Sequence, residues 1–147
     1  NGKDSIQFMF SANKGSDPQE IYKVASGGEL SRLLLCCSYL LSKYDDLPCI
    51  IFDEIDTGVS GEIAYLMSDM MKSMSNEKQI ISVTHLPQIA SKADTHFKVY
   101  KIEDSNRTVS KIKKLVIDER VEEIAKMLSG KTVTEVSINN AKELLSL

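Results

Sequence analysis

At 147 residues the chain is long enough for one domain with a sizeable core. Its apolar content of 42% and charged content of 27% are ordinary for a globular protein. A net charge of -3 excludes a surface that holds nucleic acid by bulk positive charge, though not a local basic patch. No run is long and apolar enough to span a membrane, the longest being Leu33 to Cys37, and there is no signal-peptide pattern. Cys36, Cys37 and Cys49 all fall in apolar runs. Their odd number and the adjacent pair predict buried free thiols rather than a disulfide framework. With no C-x-x-C and two histidines, a structural zinc site is not expected.

Taken in chain order, residues 5–11 alternate and predict a strand, and Asn13 to Pro18 a loop. Ser26-Gly27-Gly28-Glu29 has two readings. The S-x-x-E spacing predicts a capping box that starts a helix. The glycines also allow backbone N–H groups to approach an anion at that helix start. From Glu29 to Tyr44 the residues Leu30, Leu33, Leu34, Cys37, Leu41 and Tyr44 form a helical stripe with one buried face. Asp45 to Pro48 ends it.

Cys49-Ile50-Ile51-Phe52 predicts a strand buried on both faces, as in a parallel sheet. Asp53-Glu54-Ile55-Asp56-Thr57-Gly58 follows. A helix is predicted over Ser60 to Met74 with Ile63, Leu66, Met67, Met70 and Met74 inward, the methionines serving as core. Gln79 to Val83 is a second buried strand, ending in Thr84-His85, and Leu86 to Ala90 a short helix. Phe97–Ile102 and Val109–Val116 predict a hairpin carrying Lys98, Lys101, Arg107, Lys111, Lys113 and Lys114. It reads as a solvated edge protected by lysines, in preference to a nucleic-acid patch. Glu119 to Ser129 is a helix with Val121, Ile124, Ala125 and Leu128 inward, stopped by Gly130. Thr132 and Glu135 predict another capping box, before a last helix running to about Leu145. No repeat or low-complexity segment is present. The alternation of strands and helices makes this an α/β chain.

Two strand ends and one helix start carry the chemistry. In open α/β sheets ligands bind beyond the carboxyl ends of the strands, where Asp53-Glu54 and His85 stand. One carboxylate of the pair can hold Mg²⁺, and the other can polarise a water for attack on a terminal phosphate. His85 can hydrogen-bond that phosphate. Asp56 reads as a turn former, a helix cap or a residue that crosses a subunit interface. His96 reads as an ordinary strand histidine.

These residues resemble the C-terminal half of an ABC-type ATPase head. Ser26-Gly27-Gly28-Glu29 resembles the signature motif, Cys49-Ile50-Ile51-Phe52-Asp53-Glu54 the Walker B strand, Ile55-Asp56-Thr57-Gly58 the D-loop, and Thr84-His85 the switch histidine. Transporter domains usually have a glutamine after S-G-G and S-A-L-D after Walker B, and neither is present. Val24-Ala25-Ser26-Gly27-Gly28-Glu29-Leu30-Ser31-Arg32, Phe52 to Gly61, Thr84 to Ala90 and Arg120 to Gly130 are instead very similar to the RecN family of SMC-like DNA repair ATPases. The resemblance covers essentially the whole chain.

The resemblance implies a mainly parallel sheet flanked by helices, with a β-hairpin and two C-terminal helices. It implies ATP and Mg²⁺ as cofactors, Glu54 as catalytic base, Asp53 as the metal acid and His85 as the γ-phosphate contact. Ser26, Gly27, Gly28, Glu29 and Asp56 would form the nucleotide-binding set, with Ser26 and Gly28 facing a phosphate on the opposite head. It further implies ATP-dependent pairing of two heads and action on DNA in double-strand break repair and recombination. The location implied is the bacterial cytoplasm, at the nucleoid, with no membrane. No G-x-x-x-x-G-K-[ST] occurs, so the phosphate cradle must come from an N-terminal lobe of the same protein. Residues 1–147 are then expected to be the C-terminal half of one head domain, inactive alone. A transporter-type or other SMC-like head and a non-enzymatic interaction module are the alternatives. Intact Asp53, Glu54 and His85 speak against the module.

Overall fold

The computed structural model describes residues 2–11, 14–24, 26–44, 46–104, 107–130 and 132–147, apart from the side chains of Val24 and Asp104. The predicted strand over residues 5–11 is reduced to β1 (Met9–Phe10), paired antiparallel with β2 (Gln19–Glu20). Ile6 and Phe8 alternate as a strand should, yet β2 offers only two partners, and both side chains are exposed. A four-residue turn of helix, α1 (Ile21–Val24), leads on. The loop expected at 13–18 lies partly outside the described residues.

Helix α2 (Gly27–Leu41) starts where the capping box predicted. Its inward face differs from the prediction. Leu35 is fully buried, with Tyr39 beside the core and Ser42 buried one turn on. Leu30, Leu33, Leu34, Cys37, Leu41 and Tyr44 are exposed, as is Cys36, so the expectation of buried thiols fails for both cysteines of this helix. The reason lies in the segment itself. Residues 33–41 are apolar almost all round, so periodicity alone permits more than one inward face.

Strands β3 (Cys49–Asp53) and β4 (Gln79–Val83) pair in parallel, Asp53 opposite Val83. They are the only parallel pair among the described residues, so the expected mainly parallel sheet is here one two-stranded unit beside two antiparallel ones. One face, with Ile50, Phe52 and Ile80, packs on the core. Ile51, Ile81 and Val83 on the other face are exposed, which corrects the expectation of burial on both faces.

Helices α3 (Gly61–Met74) and α4 (Pro87–Lys92) complete the first core, with Phe52, Ile55, Met67, Met71, Met74 and Ile89 at its centre. The methionines are core, as predicted, but Leu66 faces out and Met71 faces in.

The predicted hairpin is present as β5 (Phe97–Asp104) and β6 (Arg107–Lys114). The lysine-rich edge is not wholly solvated. Lys98 pairs with Glu123 and Lys113 with Glu119, both on α5 (Ile117–Ser129). Gly130, at φ 75°, closes α5 as expected. Leu128 is turned more outward than predicted, and Met127 packs instead. Helix α6 (Glu135–Leu144) is capped by Thr134 with Ser137, not by Thr132 with Glu135. Two overlapping T-x-x-acceptor strings compete there, and the later one wins. Ala90 of α4 joins Val121, Ile124, Ala125 and Ala141 in a second core.

Candidate functional site

The site grows from the exits of β3 and β4. Parallel pairing brings the two carboxyl ends side by side, so Asp53-Glu54 and Thr84-His85 leave the sheet together. Beyond Asp53 the backbone folds back at once. Glu54 sits at φ 49°, a left-handed conformation uncommon for an L-residue with a side chain. It is held from both directions. Its N–H donates to the Val83 carbonyl at 3.1 Å, and its carbonyl accepts from the Thr57 N–H at 3.3 Å and hydroxyl at 3.0 Å. Strained backbone persists where its surroundings over-determine it, often at functional sites. The turn ends with the Val59 N–H on the Asp56 carbonyl at 3.1 Å.

The carboxylates of Asp53 and Glu54 are both exposed, and neither takes an ion pair among the described residues. His85 also projects its ring outward, 65% of the side chain being accessible. Asp56 behaves differently. Expected in the nucleotide-binding set, and read as a turn former, a helix cap or a residue crossing an interface, it is buried, at 1% exposure. Its Oδ2 accepts from the Thr84 hydroxyl and from the His85 backbone N–H at 3.3 Å. Its side chain points into its own fold.

The start of α2 touches the same turn. A Cβ on Gly28 would stand 3.2 Å from the Thr57 carbonyl oxygen, so any side chain there would push helix and turn apart by a few tenths of an ångström. Ser26 and Gly27 are exposed at that end. The Ser26 N–H donates to the Glu29 carboxylate at 2.7 Å, and the Glu29 N–H to Ser26 Oγ at 3.3 Å. The Ser26 backbone N–H, followed by the Ser26 side chain, holds the Glu29 carboxyl below its usual range. Glu29 is thus committed to shaping the helix start.

No cluster of three or more metal-ligating side chains occurs among the described residues. A Mg²⁺ ion bound chiefly by water and phosphate oxygens needs only one or two carboxylates, and an exposed, unpaired Asp53 at a strand end fits that demand. It does not fit a resident all-protein cage.

The sequence left Arg120 without a role. Its guanidinium donates to the carbonyls of Ala90 at 3.2 Å, Ser91 at 2.9 Å and Ala93, closing the C-terminal end of α4. Helix α4 begins two residues after His85. An arginine in a charged helical run carries no sign of such a partner. His96 is half-buried with Nδ1 unpartnered, and burial, followed by the nearby Arg120 charge, pushes its pKa down.

No family model matches the chain. Sequence relatives do. DNA repair protein RecN of Rickettsia prowazekii is 47% identical over 144 residues, 98% of this chain and 26% of the relative. RecN of Halalkalibacterium halodurans is 41% identical over 147 residues, 100% of this chain and 26% of the relative. The chain therefore spans about a quarter of the length of the curated relatives it matches. Among solved structures, one described under ATP-driven dimerization and DNA-stimulated activation of SMC ATPases superposes with a TM-score of 0.59. It is 24% identical and covers 80% of this chain and 70% of that one. That likeness gives the fold, a mixed α/β head of the SMC type.

Proposed function

We propose that this chain, which belongs with the RecN proteins, supplies part of an ATP-hydrolysing head acting in repair of broken DNA. The observation that carries the reading is the convergence on one turn. Asp53-Glu54 and Thr84-His85 leave adjacent parallel strands, and the Ser26-Gly27-Gly28 helix start packs on the Thr57 carbonyl beside them.

In this reading Glu54 is the general base that orients and polarises water for attack on the γ-phosphate of ATP. The positive φ at Glu54 turns the chain sharply, so consecutive carboxylates serve different partners. Asp53 would hold Mg²⁺. That ion, when bound, offsets negative charge on the phosphate oxygens. His85 contacts the γ-phosphate from the neighbouring strand end. Gly27 and Gly28 bring their backbone N–H groups, at the positive end of α2, and Ser26 its hydroxyl to a phosphate on a second head. Glu29 keeps that end in shape. In this reading a phosphate-cradling lobe is supplied from outside residues 1–147, which is compatible with the match covering 26% of the Rickettsia prowazekii relative. Head pairing, DNA repair through double-strand break recombination, and a site of action at the bacterial nucleoid belong to the same proposal. They are supported by the RecN relatives and by the SMC-type fold.

The test joins this chain to the remainder of its protein and compares Glu54→Gln with the unsubstituted form. Turnover falls by about 100-fold or more, the usual worth of a positioned base, while ATP binding is retained. Undiminished turnover in the variant removes Glu54 from the role of base.

A further inference from the structure

Asp56 is the one buried carboxylate among the described residues, and its two oxygens are unequally served. Oδ2 takes the Thr84 hydroxyl and the His85 N–H. Oδ1 is buried and has no hydrogen-bond donor. His85 Nδ1 stands 3.6 Å from it. A buried charge left half-satisfied is costly, so the carboxylate gains by drawing that ring nitrogen in as a donor. The His85 ring is exposed, so only a small rotation closes the gap.

The geometry points to Asp56 as the positioning residue for His85. Asp56 fixes the backbone of His85 through one oxygen and its ring through the other. A ring that gives its Nδ1–H to Asp56 presents Nε2 to solvent, and it donates from there to a phosphate oxygen only as the imidazolium, with Nε2 protonated as well and the Asp56 carboxylate beside it as counter-charge. Which nitrogen of a histidine meets a ligand is set by the hydrogen bond of the other. Thr84 completes the device. Its hydroxyl donates to Asp56 and accepts the Leu86 N–H at 3.0 Å, which pins the loop that carries the histidine. The carboxylate comes from the exit of β3 and the histidine from the exit of β4. Asp56 therefore also locks His85 in register with Glu54, two residues before it. The part of this inference that concerns turnover rests on His85 as the phosphate contact proposed above. The part that concerns the ring does not.

The ring itself gives the first measurement. Long-range ¹H–¹⁵N spectra of this chain, recorded with pH raised until the ring signals no longer change, report which nitrogen of the neutral ring carries the proton. His85 and His96 are the only histidines, so a His96→Gln variant assigns the signals. The expected result is an Nδ1–H majority at His85, the reverse of a free neutral imidazole. An Nε2–H majority in the unsubstituted chain overturns the inference, and this needs no further variant to fold. In Asp56→Asn, the amide oxygen serves the two Oδ2 donors and the amide nitrogen faces the ring, so the proton moves to Nε2. An unchanged tautomer in a folded Asp56→Asn also overturns it.

The second measurement uses the complete ATPase. Asp56→Asn lowers kcat by about 10- to 100-fold, the usual effect of removing an orienting partner, with KM for ATP little changed. His85→Ala is the companion. If His85→Ala lowers kcat and Asp56→Asn does not, Asp56 is not a positioning residue. If His85→Ala itself leaves kcat unchanged, the phosphate-contact reading of His85 fails, and the spectra alone decide the role of Asp56.

Discussion

Gly27 and Gly28 are neighbours that are glycine for different reasons. A Cβ on Gly27 meets nothing within 4 Å, whereas on Gly28 it meets the Thr57 carbonyl at 3.2 Å and Arg32 Nη1 at 3.3 Å. Arg32 could swing away, but Thr57 is backbone in the turn that holds Glu54. Gly27→Ala should therefore stabilise the chain by up to about 1 kcal/mol, through the entropy lost by the unfolded state. Gly28→Ala should forfeit that gain and fall about 1 kcal/mol below Gly27→Ala, because the turn must shift. Urea midpoints of the two variants check this, and equal midpoints would refute it. The sequence showed that this stretch needs backbone freedom. It could not show which glycine needs it, because the partner of Gly28 is 29 positions away in the chain. Asp56 is the same kind of case. A D-x-G string reads as a surface turn, and only the meeting of β3 and β4 turns its carboxylate inward.

Among the elements, α2 was legible at its start and not along its length. Local chemistry defines the start, since Ser26 and Glu29 need nothing beyond one turn of helix. Glu29, held below its normal pKa, adds stability that is present above the unfolded carboxylate value and is lost as pH falls through the folded one. Glu29→Gln removes that dependence. The stability gap between the unsubstituted chain and Glu29→Gln should therefore narrow between about pH 5 and pH 3, as read by denaturation at each pH. A gap that widens on acidification contradicts the capping box as its source. The burial of α2 was illegible for a tertiary reason, since which apolar stripe turns inward depends on where α3 lies. Helix α4 shows the opposite case, a short element held mainly from outside. Arg120 Nη2 reaches the carbonyls of Ala90 and Ser91 in the helix and of Ala93 just beyond it. Arg120→Met, which keeps the apolar stem and removes the donor, should cost about 1.5–3 kcal/mol, the scale of a charge-assisted hydrogen bond, and should speed amide exchange in α4.

For the whole molecule, the order of strands and helices was readable from periodicity, down to the hairpin and both C-terminal helices. The extent of sheet was not. An apolar run such as Cys49 to Phe52 looks the same whether its second face is covered or open, and here it is open at Ile51 and Ile81. Exposed apolar surface of this kind favours association. Ile51→Thr with Ile81→Thr should reduce concentration-dependent association in sedimentation while leaving the melting temperature within a few degrees, because both residues lie outside the core. A large drop in melting temperature would show that this face is packed after all. The interior is divided as well. Ile89 belongs to the core under β3 and β4, and Ala90 to the core of α5 and α6. Consecutive residues of one six-residue helix thus face two separate interiors. On a helix each residue advances the direction of its side chain by about 100°. One amino acid inserted between Ile89 and Ala90 would swing the entire C-terminal helical pair around the sheet by that angle. The spacing of this junction acts as a phase setting between the two interiors.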